Sequence, residues 1–156
     1  MSFEEIYQTY VDAVYGFLMF KLQNQHLVED ILQETFLAVY QSMKKADEII
    51  SIKAWVLSIA NNKMVDHLRK GHNKEQTLIT ELVLLDTADE PGNNLFFKEV
   101  LSQLEDTERT IIYGLYAEKL SYKDLALILN IPEGTAKSKA YYARKKLHRW
   151  LREGSK

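Results

Sequence analysis

SYKDLALILNIPEGTAKSKAYYARKKLHRW, residues 121–150, is the stretch on which the fold turns. A short apolar helix is predicted to end at Leu129, the NIPEG turn follows, and a long basic helix opens near Thr135. Helix, compact turn and helix in that order predict a helix-turn-helix. On the second helix Ala136, Ala140, Ala143, Leu147, Trp150 and Leu151 recur at helical spacing and form the predicted inward face, where alanines permit close approach to the first helix. The opposite face carries Lys137, Ser138, Tyr141, Arg144, Lys145 and His148.

In this geometry the N-terminal part of the second helix enters the major groove of DNA, where side chains reach base edges. Thr135, Lys137, Ser138 and Tyr141 are therefore the base-reading candidates. Arg144, Lys145, Lys146 and Arg149 lie further along and suit phosphates. Charge supports the assignment: residues 135–156 hold eight basic side chains and one acidic, a net of +7, although the whole chain carries −2. Residues 52–76 form a second basic segment, with five basic and two acidic groups, and the intervening residues 77–108 are strongly acidic. Two basic segments on an otherwise acidic body predict two polyanion-facing surfaces.

In all, four helices are predicted in this half of the chain, at about 95–104, 107–117, 121–129 and 135–152, with Thr107 and Ser121 as N-caps and Pro132 and Gly134 punctuating the last two. Three longer apolar stripes precede them. They run through Phe3, Ile6, Tyr7, Tyr10, Val11, Val14, Tyr15 and Leu18; through Val28, Ile31, Leu32, Phe36, Val39, Tyr40 and Met43; and through Ile52, Trp55, Val56, Ile59, Ala60, Met64, Val65 and Leu68. Each is wide enough to pack on two neighbours, so these helices should form one bundle. Between Lys70 and Asn94 the periodicity fades. The predicted architecture is all-α, with an N-terminal helical domain at 1–70, a flexible linker at 71–93 and a C-terminal helix-turn-helix domain at 94–156.

Composition removes other classes. At 46% hydrophobic and 27% charged residues the chain can bury a core, and six Gly and two Pro disfavour a turn-rich β sandwich. The absence of cysteine excludes disulfides, thiolate metal sites and a Cys nucleophile. His26, His67, His72 and His148 are not in metal-ligand spacing, and adjacent Asp66 and His67 point to different faces of a helix. No Gly-rich phosphate loop or G-x-S-x-G elbow is present. No enzyme activity, cofactor, metal or small-molecule substrate is expected. The opening MSFEEIYQTY is acidic and amphipathic, unlike a secretory signal peptide, so a cytoplasmic location is expected.

Three ordered motifs are similar to those of a known family. VEDILQETFLAVYQSM at 28–43, IKAWVLSIANNKMVDHLRK at 52–70, and LSQLEDTERTIIYGLYAEKLSYKDLALIL running through IPEGTAKSKAYYARKKL resemble the extracytoplasmic-function sigma factors of bacterial RNA polymerase. The resemblance implies that helix 28–43 binds core polymerase at the coiled coil of its clamp. Asp30, Gln33 and Glu34, standing away from the apolar stripe beside Phe36, suit a partner with basic residues. It also implies that helix 52–70, with Asn62, Lys63, Asp66, Arg69 and Lys70 exposed beside Lys53 and Asn61, grips the minus-ten promoter element. The loop at about Lys45–Ser51 would capture an extruded base, which needs cationic and amide groups around a pocket. The last helix would read the minus-thirty-five element. An anti-sigma factor is a further implied partner.

Some positions depart from the family pattern. Ser58 and Asn61 stand where many members have basic residues, and Glu105 where Pro is usual. Lys139 and Ala140 replace a common Arg-Leu; Lys139 keeps the charge for DNA binding but loses bidentate guanine recognition. The competing reading is a stand-alone helix-turn-helix regulator, which predicts a symmetric dimer on palindromic half-sites.

Overall fold

The computed structural model describes residues 1–70, 99 and 101–154, and among them every regular element is helical. The chain divides into two compact units, Met1–Leu82 and Val83–Lys156. The segment expected as a linker, 71–93, lies outside the described residues, as do the first residues of the helix expected at 95–104. Of that helix Glu99, Leu101 and Ser102 are helical.

In the first unit α1 (Phe3–Leu22), α2 (Gln25–Gln41) and α3 (Ile52–Lys70) each pack on the other two. Local chemistry sets the boundaries. Ser2 Oγ accepts from the Glu5 N–H at 3.2 Å, with Glu4 and Glu5 in the first turn where negative charge meets the positive helix end. α1 stops at Gln23, whose φ of 54° is left-handed, and Asn24 then caps α2 by accepting from the Leu27 N–H at 3.1 Å. A 3-10 helix, Met43–Glu48, follows α2 and buries Ala46. Ile6, Val14, Phe17, Leu18, Leu22, Val28, Ile31, Val39, Leu57 and Met64 form the core.

The stripe expected on α3 holds at Val56, Ala60 and Met64 but is shifted at its flanks. Ala54, Leu57 and Asn61 are buried with Val56, Ala60 and Met64, whereas Trp55 and Ile59 are half-buried and Val65 is exposed. A helix wedged between two others buries a broad face, so its flanking positions cannot be fixed by period alone. Asn61, expected on the exposed face, is one turn from Leu57 and goes inside with it; Lys53 is half-buried.

The second unit contains α4 (Asp106–Tyr116), α5 (Tyr122–Leu129) and α6 (Glu133–Gly154), all in mutual contact. Ser121 caps α5 as expected: its Oγ accepts from the Asp124 N–H at 3.0 Å, and Asp124 Oδ2 accepts from the Ser121 N–H at 3.2 Å. Thr107 does not cap α4. The helix begins earlier, with Glu105 at the N-cap and its N–H donating to Glu108 Oε1 at 2.9 Å. A carboxylate three residues on reaches back to the cap, so Thr107 is already inside the first turn. α6 likewise starts at Glu133 rather than near Thr135, because the Pro132 carbonyl accepts the first helical bond, from Ala136 N–H at 3.1 Å. Gly114 brings α4 against α5: a Cβ there would lie 2.6 Å from Leu125 Cδ2 and 3.2 Å from Leu120 Cδ1. Tyr113 donates weakly to Glu118 Oε2 at 3.4 Å, and burial, reinforced by that negative charge, pushes its phenol up to about 12.

Glu108 does more than cap. Its side chain is only 5% exposed, and Oε1 also accepts from Lys146 Nζ at 2.9 Å, tying α4 to α6. Lys146, a phosphate candidate by sequence, is thus engaged by this buried carboxylate. Removing it strands a buried carboxylate with only a backbone donor beside its Oε1. Lys146→Ala should therefore cost about 2 kcal/mol, below the full value for a buried pair because Lys146 is half in water. The adjacent, exposed Lys145→Ala should cost less than about 0.5 kcal/mol. Denaturant midpoints of the two variants check the contrast.

Candidate nucleic-acid and protein interfaces

α6 separates its two faces sharply. Ala136, Ala140 and Ala143 are fully buried, whereas Lys137, Ser138, Tyr141, Arg144 and Lys145 are all exposed, with Thr135 and Lys139 half-buried at the shoulders. Leu147 and Trp150 are half-buried, but Leu151 is exposed, since it lies about 100° around the helix from Trp150. Small residues inward let α6 lie close to α4 and α5 while its polar face stays free of packing.

The cations on that face are held in place. Arg144 Nε donates to Tyr116 Oη at 2.9 Å and Nη1 to Tyr122 Oη at 3.2 Å, and the guanidinium stands 5.7 Å from the Tyr116 ring centre. The hydrogen bond to Tyr116, then that to Tyr122, raises the Arg144 pKa further, so the charge is permanent. Lys145 Nζ stands 5.2 Å from the Tyr141 ring centre, and Tyr141 itself leans on Tyr142 at 5.3 Å. Tyr141, Arg144, Lys145, His148, Arg149 and Arg152 line one open groove. This arrangement offers oriented N–H donors and fixed positive charge to a phosphate chain. Tyr116 and Tyr122 were missed in the sequence, because nothing local links them to an arginine more than 20 positions on.

On the first unit Asp30, Gln33, Glu34, Leu37 and His67 line a shallow groove between α2 and α3. Three of the four residues expected to meet polymerase come together there. Phe36 does not: it is 4% exposed, with its ring edge-on to Tyr7 at 4.9 Å between centres. Thr35 beside it is also buried, its Oγ1 donating to the Ile31 carbonyl at 2.7 Å. The apolar residue beside the acidic groove is instead Leu37, 57% exposed.

The C-terminal turn of α3 carries Arg69 and Lys70, cations where the helix end is negative. Asn62, Asp66, Arg69 and Lys70 are exposed and Lys63 half-buried. The expected base-capturing loop is shorter than its sequence implies. Met43–Glu48 is a 3-10 helix, which leaves Ile49–Ser51 outside helical structure, with Ser51 Oγ accepting from Ala54 N–H at 3.2 Å. Ile50, between them, is 96% exposed.

Comparison with known proteins gives one family match in each unit. Residues 6–74 match the family model for sigma-70 region 2, and residues 97–147 that for sigma-70 region 4. These matches define a sigma-70-type factor, with region 2 in the first unit and region 4 in the second. The chain is 36% identical over 154 residues to the ECF RNA polymerase sigma factor SigM of Bacillus subtilis, covering 94% of this chain and 93% of that one. It is 28% identical to SigW of the same organism, covering 97% and 90%. The chain belongs to the ECF RNA polymerase sigma factors. In fold it is similar to the sigma factor RpoE solved with the anti-sigma factor NepR from Bartonella quintana, with a TM-score of 0.72 at 23% identity over 96% of both chains. No helix among the described residues is long and apolar enough to cross a membrane.

Proposed function

We propose that the chain recruits core RNA polymerase through the groove of Asp30, Gln33, Glu34 and Leu37 and directs it to promoters read by its two basic surfaces. Asn62, Lys63, Asp66, Arg69 and Lys70, with the Ile49–Ser51 segment, meet the minus-ten region. Thr135, Lys137, Ser138, Lys139 and Tyr141 face base edges of the minus-thirty-five duplex, and Arg144 and Lys145 its phosphates. The observation that carries this reading is the division of α6 into a fully buried alanine face and a continuous exposed cationic face. RNA synthesis belongs to the polymerase, and the chain contributes no catalysis of its own. It works in the cytoplasm, where polymerase and promoters are, and an anti-sigma factor restrains it.

Linking two modest DNA contacts through one chain raises the effective concentration of the second once the first is made. The dimeric regulator leaves the region 2 match over residues 6–74 without a role. Titration of labelled chain with core bacterial RNA polymerase at about 0.15 M salt, where exposed charges are screened over ~8 Å, tests the proposal. Saturable one-to-one binding by a chain that is monomeric in light scattering is expected. A folded chain that ignores polymerase and binds palindromic DNA as a dimer would overturn it.

A further inference from the structure

We infer that His67, on α3, is a positioning residue of the acidic groove on α2, fixing the Glu34 carboxylate for a basic side chain of the polymerase. The inference rests on reading that groove as the polymerase contact. His67 Nε2 is hydrogen-bonded to Glu34 Oε2, a contact between different helices and 33 positions apart in sequence. Glu34 is otherwise a partly exposed side chain on a helix surface, free to sample many rotamers. A glutamate ordered only on binding subtracts its lost rotamer freedom from the affinity. One already held loses less.

The geometry fits that role. The imidazole occupies Oε2, which leaves Oε1 to accept from an incoming lysine or arginine. His67 is half-buried on α3, so its ring is supported by the bundle rather than by solvent. The groove places Asp30 and Gln33 on the same helix face as Glu34 and Leu37 beside them. A partner cation would thus meet two carboxylates, one of them pre-set, at the edge of an apolar contact.

The full-length chain, titrated with core polymerase, provides the test. His67→Ala is expected to weaken binding about fivefold, the size set by one immobilised side chain. His67→Gln, whose amide keeps a donor, should recover most of that loss. In a Glu34→Gln background, which itself binds more weakly, His67→Ala should change little, because the carboxylate it positions is gone. Thermal midpoints of every variant separate this pattern from simple destabilisation, which neither the Gln rescue nor the background dependence would follow. Full affinity in His67→Ala, or the same loss in both backgrounds, would overturn the positioning role alone if charge reversal of Asp30 and Glu34 still abolished binding. If that reversal left binding intact, the groove assignment would fall and this inference with it.

Discussion

Leu125→Ala is expected to remove promoter reading by the C-terminal unit while polymerase binding survives. Leu125 is fully buried on α5, and its Cδ2 fills the space that Gly114 leaves open on α4. Truncation deletes that contact and leaves a cavity between the helices that frame α6. Such a change costs about 2–5 kcal/mol. A helical unit of roughly 55 residues has a total stability of only about 3–8 kcal/mol, so the loss takes most of it. The melting transition of this unit should fall by about 15 °C. Leu127, two residues away and more than half exposed, is the internal control: its replacement by alanine should change stability by less than about 0.5 kcal/mol. In the reconstituted holoenzyme, Leu125→Ala should bind polymerase within about threefold of wild type, since the first unit has its own core. Protection of the upstream promoter element by footprinting should disappear. Retained protection would mean that α6 does not depend on the packing seen here.

What was legible in advance was local. The alanine face of α6 and the Ser121 cap depend on residues three or four positions apart, and both are where the sequence places them. The third helix shows the limit. Its apolar residues repeat at helical spacing on more than one face, so the pattern places Val56, Ala60 and Met64 correctly but not the flanks, where Leu57 and Asn61 rather than Trp55 and Ile59 go inside. Phe36 is inward, as its place in the apolar stripe predicts, and with Thr35 also inside, Leu37 is the apolar side chain that reaches the groove. The contacts that shape the surfaces are not local at all. Glu34 with His67, Glu108 with Lys146 and Arg144 with Tyr116 join residues 28 to 38 positions apart. Periodicity tells which side of a helix a residue occupies, and the partner across the gap appears only once the helices are packed. Lys145 and Lys146 carry the same side chain in adjacent positions, yet one faces the groove and the other a buried carboxylate.

Charge reversal in the acidic groove should separate the two activities in the opposite sense. Asp30→Lys with Glu34→Lys replaces two carboxylates by cations facing a basic partner, and like-charge contacts across an interface cost several kcal/mol. Polymerase affinity should fall by about a hundredfold or more, with part of the loss recovered at high salt because the groove is open to solvent. Asp30 is exposed and Glu34 partly so, which makes the fold tolerant of the change even though Glu34 gives up His67. DNA binding through α6 should be unaffected, since its cations are oriented by Tyr116, Tyr122 and Tyr141 within the second unit. Lys137→Ala with Arg144→Ala supplies the reciprocal arm: polymerase binding intact, promoter affinity reduced by about 1–3 kcal/mol per contact. Loss of a phosphate contact at Arg144 should also flatten the salt dependence of DNA binding by about one unit of slope. Lys137, if it reads a base edge, should instead relax sequence preference with little change in slope. Equal damage to both activities by both pairs, in chains that remain folded, would contradict a division of labour between two units that each bury their own core. Selective damage in both directions would follow from that separation, because neither pair alters the packing that holds the other.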